Sequence, residues 1–380
     1  MKLIHCADLH LDSKMTSLLP ADLAKTRRQE LLQTFVRMVD FAEEEGVSAI
    51  LIAGDLFDRK TVSSVAGNTV FDEICSHPDI SFFYITGNHE RSGFLDSLSE
   101  IPDNLKLFGK EWRTYDAGPV AVSGADPDPD AGPERYASLV LDPSCFNIVI
   151  LHGQITEYAD ASQKESIPLR ELRGKPVDYL ALGHVHSFQE GTIAPRGTWC
   201  YPGCLEGRGF DECGEHGFVL LDINTEDRTC TKTFVPFAAR KLEEIPVDIS
   251  GCLTTAEIAE RIGEQIREKT GRQAGEETGQ LSGRKPVTED FWKIVLTGQV
   301  DITCEKETEW LEKRYADRCG FLKVEDHTRL AVEYRDYARD VSLKGEFVRL
   351  VGGDDSLNEQ QKAEIIRCGL RALSGEELPV

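Results

Sequence analysis

Five short polar clusters carry the residue types that hold divalent cations and move protons. They are Asp8-Leu-His10, Gly54-Asp55-Leu-Phe-Asp58, Gly87-Asn88-His89-Glu90, His152-Gly153 and Gly183-His184-Val-His186, and they contain five of the nine histidines. Brought together, they would offer two Asp carboxylates, an Asn carbonyl and three or four imidazoles, with no thiolate among them. Mixed nitrogen and oxygen donors suit Mn²⁺, Fe²⁺ or Zn²⁺ better than an all-oxygen Mg²⁺ or Ca²⁺ cage. Gly54 and Gly87 allow the tight turns that bring backbone close to ions. A lone Asp-x-His, or an Asp after Gly, is ordinary turn or surface chemistry. Five such clusters, each placed where an apolar run stops, point instead to one ligand set.

The elements that must position them are short apolar runs bounded by Gly, Pro or Asp. Lys2–Cys6, Ala49–Ala53, Ile80–Thr86, Phe146–Leu151 and Tyr179–Leu182 read as buried strands. Between the first two, Leu31, Phe35, Met38 and Ala42 recur at helical spacing, so Ala21–Glu45 reads as a helix stopped at Gly46. Thr198–Tyr201, Gly217–Ile223 and Cys230–Phe237 follow without helices between them and read as antiparallel strands. Early strands with helices between and late strands without them predict two sheets packed face to face with helices outside. Open sheets place ligands beyond the carboxyl ends of their strands, so all five clusters can converge on one edge. A second region begins near Arg240, with strands at Leu242–Ile249, Phe291–Val300 and Phe321–Val324 and helices at Thr255–Lys269 and Glu305–Arg318. The Gly-rich polar stretch 270–288 reads as an exposed loop. In the tail, Ser356-Leu-Asn-Glu359 fits a capping box ahead of Ile365, Ile366, Leu370 and Leu373.

In this order, D-x-H, G-D-x-x-D, G-N-H-E, H-G and G-H-x-H resemble the calcineurin-like metallophosphoesterase superfamily. The surrounding wording (ADLHLD, AGDLFD, YITGNHE, ALGHVHS, YPGCLEGRGFDE) resembles the SbcD-type DNA repair nucleases and their YhaO-like branch, over about residues 1–240. The resemblance implies an α/β (α+β) protein. Its four-layer metallophosphoesterase β-sandwich, flanked by helices, would occupy 1–240, a smaller α/β capping domain 241–340, and a C-terminal helical tail 341–380. It implies a first cation held by Asp8, His10, Asp55 and His186, and a second held by Asp55, Asn88, His152 and His184, with Asp55 bridging. His89 would be the catalytic histidine. Asp58 stands where some nucleases of the wider family have His, and would orient ligands. A cation pair roughly 3.5–4 Å apart, most simply Mn²⁺ with Fe²⁺ or Zn²⁺ as alternatives, would lower the pKa of water toward neutrality and stabilise charge on a phosphoryl group. The expected activity is that of a Mn-dependent DNA exonuclease and endonuclease. The expected partners are DNA, an SbcC-type SMC-like ATPase subunit docked on the tail helix Glu359–Leu373, and a second copy meeting helix Ala21–Glu45.

Composition bounds the rest. The 380 residues suggest two or three domains, and 40% hydrophobic with 29% charged residues is a soluble balance. No apolar run approaches the roughly 18 residues of a membrane span. MKLIHCADLH has no room for a signal-peptide apolar core, and eleven scattered cysteines read as reduced thiols in a cytosol. Residues 1–240 hold 22 basic and 37 acidic residues, and the remainder 21 and 29, within a net charge of −23. A polyanionic substrate would therefore need bound cations or a partner to supply attraction. That acidity favours the rival activity, a small-molecule phosphodiesterase or phosphatase at the same site. Cys200, Cys204, Cys213 and His216 have the residue types of a zinc site at an irregular spacing that argues for packing. Arg208, in the same loop, is a candidate contact for a DNA phosphate. There is no G-x-x-x-x-G-K-[ST] phosphate loop.

Overall fold

The computed structural model describes residues 1–15, 19–58, 62–87, 94–95, 98, 100–128, 130–132, 134–158, 165–194, 196–270, 288–301, 304–330, 337 and 340–373. Contacts divide the chain into two units, Met1–Leu242 and Glu243–Val380.

In the first unit, β1 (Lys2–Cys6), α1 (Ala21–Glu44), β2 (Ala49–Ala53), α2 (Ser64–Ser76), β3 (Ser81–Ile85) and β4 (Leu105–Leu107) alternate strand and helix. They are followed by β5 (Arg113–Ala117), β6 (Val120–Gly124), α3 (Glu134–Ala137), β7 (Phe146–His152), β8 (Gln154–Thr156), β9 (Ser166–Pro168) and α4 (Leu169–Leu172). The unit ends with β10 (Tyr179–Gly183), β11 (Gln189–Thr192), β12 (Thr198–Tyr201), β13 (Gly217–Asn224) and β14 (Thr229–Pro236). Two six-stranded sheets result, ordered β14-β13-β1-β2-β3-β4 and β11-β12-β10-β7-β6-β5.

Period-two alternation explains how the sheets stack. Ile148, Ile150, Tyr179 and Ala181 share one buried cluster with Leu3, Leu51, Phe83 and Leu221 of the other sheet. Their neighbours Val149, Leu151, Leu180 and Leu182 face the opposite way, onto Leu139, Ile167 and Leu172 beside α3 and α4. Strands buried on both faces read as unbroken apolar runs, which is why the sequence shows them plainly. The pairs β1–β2, β2–β3 and β7–β10 are parallel, so their carboxyl ends lie at common sheet edges.

Some local expectations need correction. β13 is antiparallel to both its neighbours, whereas β12 is antiparallel to β11 on one side and parallel to β10 on the other, because the β11 hairpin arm turns it round. α2 is a helix despite Gly67, Asn68 and Thr69, which have poor helix propensity. Ser63 caps it, and Ala66, Val70 and Ile74 are buried along one face.

The second unit contains the sheet β15 (Leu242–Asp248), β16 (Phe291–Thr297) and β18 (Phe321–Asp326), and the short pair β17 (Gln299–Val300) and β19 (Arg329–Leu330). Gly298, at φ 97°, breaks the single strand expected over Phe291–Val300. Helices α5 (Thr255–Thr270) and α6 (Thr308–Tyr315) share a core with the three-stranded sheet, through Ile258, Ile262 and Leu311 among others. Of the expected loop 270–288, residues 271–287 lie outside the described residues. In the tail, α7 (Leu343–Gly352) and α8 (Glu359–Leu373) pack through Val348, Ile366 and Leu370. The capping box of α8 sits two residues later than expected: Gln361 N–H donates to Asn358 Oδ1 (2.9 Å), and Asn358 N–H donates to Gln361 Oε1 (3.0 Å). Ser356 instead donates to Asp354 (2.6 Å). Among the described residues no helix is long and apolar enough to cross a membrane.

Candidate metal centre

The segment after β1 runs beside the segment after β2. Asp8 N–H donates to Gly54 O (3.2 Å), His10 N–H to Asp55 O (2.9 Å) and Leu11 N–H to Leu56 O (2.9 Å). These bonds hold unusual backbone: Asp8, His10 and Asp55 have φ of 51°, 45° and 47°, and His184 has 103°. Asp and His tolerate the left-handed region better than branched residues do, at a cost of order 1 kcal/mol or more each. Three of these residues, Asp8, His10 and Asp55, offer side-chain donors that gather after β1 and β2.

Two donor sets form there, with ligand atoms within 4.8 Å of one another: Asp8, His10 and His186, and Asp8, Asp55 and His152. His10 Nε2 lies 3.2 Å from His186 Nε2. Asp55 Oδ2 stands between His10 Nε2 (3.9 Å) and His152 Nε2 (3.5 Å). His184 contributes its backbone N–H to both oxygens of Asp8 (3.0 and 2.9 Å), and its ring meets that of His152 edge-on at 5.5 Å. Asp8 is therefore common to both donor sets, while Asp55 lies between an imidazole of each. Asn88 and His89, expected as ligand and catalyst, lie outside the described residues.

Electrostatics favour added positive charge. Asp8 and Asp55 are buried together. Burial lowers the pKa of His152, but Asp55 and Asp8 more than compensate and raise it from 6.5 to about 9. Burial also opposes protonation of His186, yet Glu212 lifts its pKa above the ordinary value. His10 and His184 go down, chiefly through burial, with Arg208 adding to the shift at His10 and His152 at His184. The carboxylates thus favour a proton on His152 and His186, and a divalent cation would take the place of such protons. The donor atoms fit such a cation: His152 donates Nδ1–H to Ala53 O (2.9 Å), which leaves Nε2 for coordination.

The raised pKa of His152 has a testable sign. A folded-state value above the unfolded 6.5 gives stability that is present below pH 6.5 and lost as pH rises toward 9. Chelator-treated protein should lose up to about 3 kcal/mol over that window in urea unfolding. A flat profile would mean that His152 carries no such proton.

Small residues admit this crowding. A Cβ on Gly87 would fall onto Asp55 Oδ1 and one on Gly54 onto the His152 ring. Gly87→Ala should destabilise the protein by about 2 kcal/mol and weaken metal binding, the cost of overpacking. Unchanged urea midpoint and metal affinity would contradict the close approach.

Around the ligands lies a layer the motifs did not reveal. Glu212 accepts from His186 Nδ1 (2.7 Å) and from Arg208 (2.6 Å). Arg208, expected on a phosphate, also reaches Asp58 (3.3 Å), whose Oδ1 lies 3.3 Å from His10 Nδ1. Tyr201 is fully buried and donates to Gly153 O (2.8 Å) beside His152. The cysteine cluster does not converge: Cys200 lies in the inter-sheet core, Cys213 is exposed, and Cys204 meets His216 Nδ1 at 3.2 Å.

Residues 1–188 match the family model of the calcineurin-like phosphoesterases. With the two stacked sheets, this is the metallophosphoesterase fold. The chain is 29% identical over 247 residues to the uncharacterised metallophosphoesterase YhaO of Bacillus subtilis (strain 168), covering 59% of this chain and 58% of that protein. It is 25% identical over 254 residues to the DNA double-strand break repair protein Mre11 of Methanosarcina acetivorans, covering 62% of this chain and 39% of that protein. Both matches thus span less than two thirds of the relatives' own length. Among solved structures, TT1561 of Thermus thermophilus aligns with a TM-score of 0.40 at 12% identity, covering 61% of this chain and 97% of that one.

Proposed function

We propose, on the premise that residues 1–188 belong to the calcineurin-like phosphoesterase superfamily whose model they match, that the protein is a dimetal-dependent DNA nuclease of the SbcD type. The observation that carries the reading is the pair of donor sets sharing Asp8 at the ends of parallel strands. Bound cations, Mn²⁺ foremost, would act as Lewis acids on a phosphoryl oxygen and on the attacking water. The chain's own groups do the positioning. His184 N–H fixes both oxygens of Asp8, Ala53 O orients His152, and Glu212 orients His186. Asp55 and Asn88 complete the ligand set in this reading, with His152, His184 and His186. His89 protonates the departing oxygen, so His89→Ala should keep its metals and lose about 10²–10⁴-fold in turnover. Loss of metal from that variant would reassign His89 as a ligand.

DNA as substrate is supported by the name of the Mre11 relative, and the role in repair belongs to the same proposal. So do an SbcC-type ATPase subunit, a homodimer through α1 and a cytoplasmic location. Half of α8 is already used against α7, which leaves Ile365 and Leu373, each 39% exposed, for a partner. A second reading, a small-molecule phosphodiesterase, is favoured by the net charge of −23, which repels a polyanion. Mn²⁺-loaded protein incubated with labelled duplex DNA and with bis-p-nitrophenyl phosphate separates the two. Cleavage of the small ester alone would sink the nuclease reading.

A further inference from the structure

We propose that Glu212 and Arg208 are positioning residues that set His186 and His10 for one cation, acting as a single charge relay beneath the first donor set. The relay runs His186, Glu212, Arg208, Asp58, His10, and the proposal rests on the metal-centre reading above. The links are polar contacts of 2.6 to 3.3 Å, shortest at Glu212. Glu212 Oε1 accepts from His186 Nδ1 at 2.7 Å and from Arg208 Nη2 at 2.6 Å. Its Oε2 accepts from Arg208 N–H at 2.8 Å and from Arg208 Nε at 3.3 Å, so the carboxylate is gripped on both oxygens. Arg208 Nη1 then reaches Asp58 Oδ1 at 3.3 Å, and that oxygen lies 3.3 Å from His10 Nδ1.

This geometry decides which nitrogen of His186 faces the pocket. Arg208 Nη2 also lies 3.2 Å from His186 Nδ1, but a donor cannot serve a nitrogen that is itself donating. The 2.7 Å contact to a carboxylate is the shorter and the charge-assisted one, so Nδ1 carries the proton. Nε2 is left aimed at His10 Nε2, 3.2 Å away. Two facing imidazole nitrogens at that distance repel unless a proton or a cation lies between them. Arg208 has a second duty. Its guanidinium offsets one of the two outer carboxylates, so the layer adds about one negative charge to a pocket that already holds Asp8 and Asp55. Lysine could not fork between Glu212 and Asp58 in this way.

Asp58 and Arg208 thereby take a shared role in place of separate ones. Glu212 itself is nearly buried, and its backbone carbonyl is 2.8 Å from His216 Nε2, which anchors the relay from behind.

Calorimetric titration of EDTA-treated, dialysed protein with MnCl₂ tests this. Glu212→Gln should weaken one of two Mn²⁺ binding events by about 10–100-fold and leave the other unchanged. In a His186→Ala background the same substitution should have a smaller further effect on affinity, since only the path through Arg208 and Asp58 to His10 remains. If Glu212→Gln fails to fold, Glu212→Asp, which keeps the charge and shortens the reach, carries the same expectation. Equal weakening of both events, no weakening, or an undiminished effect in the His186→Ala background would overturn the relay. Wild-type protein that binds no Mn²⁺ would overturn the metal-centre reading, and the relay with it.

Discussion

Asp55→Ala should lose divalent cations from both donor sets and lower phosphodiester turnover by at least about a thousandfold, several kcal/mol of transition-state stabilisation. The expectation follows from position. Asp55 Oδ2 stands 3.9 Å from His10 Nε2 and 3.5 Å from His152 Nε2, one imidazole from each set. The stability signature is distinct from ordinary destabilisation. Cation binding adds about 2.7 kcal/mol to the wild type when the free metal is a hundred times Kd, and it should add nothing to the variant. Metal analysis after Mn²⁺ loading and gel filtration is the direct measurement. Asp55→Ala that retains both metals would end the bridging assignment. Retention of one would make Asp55 a terminal ligand and leave Asp8, the residue common to both donor sets, as the bridge.

What sequence could reveal of this centre depended on how each feature is encoded. The strands β1, β2, β7 and β10 were legible because burial on both faces leaves an apolar run with polar punctuation at its end. The ligands were legible because Asp and His stand at that punctuation. The left-handed backbone of Asp8, His10, Asp55 and His184 was not, since only glycine announces such a conformation by its type. Glu212 was invisible for a related reason: a carboxylate in G-R-G-F-D-E reads as turn chemistry until the chain folds and brings it 2.7 Å from a histidine 26 residues away. The direction of β12 escaped because pairing direction depends on where β11 returns, a tertiary matter. The cap of α8 slid from Ser356 to Asn358 because both positions offer a competent side chain and only the first helical turn chooses between them.

The same hidden layer continues inward and predicts the largest stability loss. Arg27 on α1 and Glu206 in the loop before Arg208 are 1% and 2% exposed, and they pair at 3.0 Å. Glu206 also accepts from Thr34 Oγ1 (2.6 Å) and Ala239 N–H (2.5 Å), while Arg27 donates to Gly207 O (2.9 Å) and to Glu30 (2.7 Å). The pair ties the first helix to the loop that delivers the relay. Glu206→Leu should cost about 3–5 kcal/mol in urea unfolding, because it leaves a guanidinium buried without its main counter-charge. Glu30 retains part of that charge, which places the expectation near the lower bound. Arg27→Met combined with Glu206→Leu should recover part of the loss, since two apolar groups need no pairing. Recovery stays incomplete because Ala239 N–H and Gly207 O each lose a partner, at about 1–3 kcal/mol per buried group. A double variant no more stable than Glu206→Leu would show that the backbone contacts, rather than the buried charge, hold the loop in place.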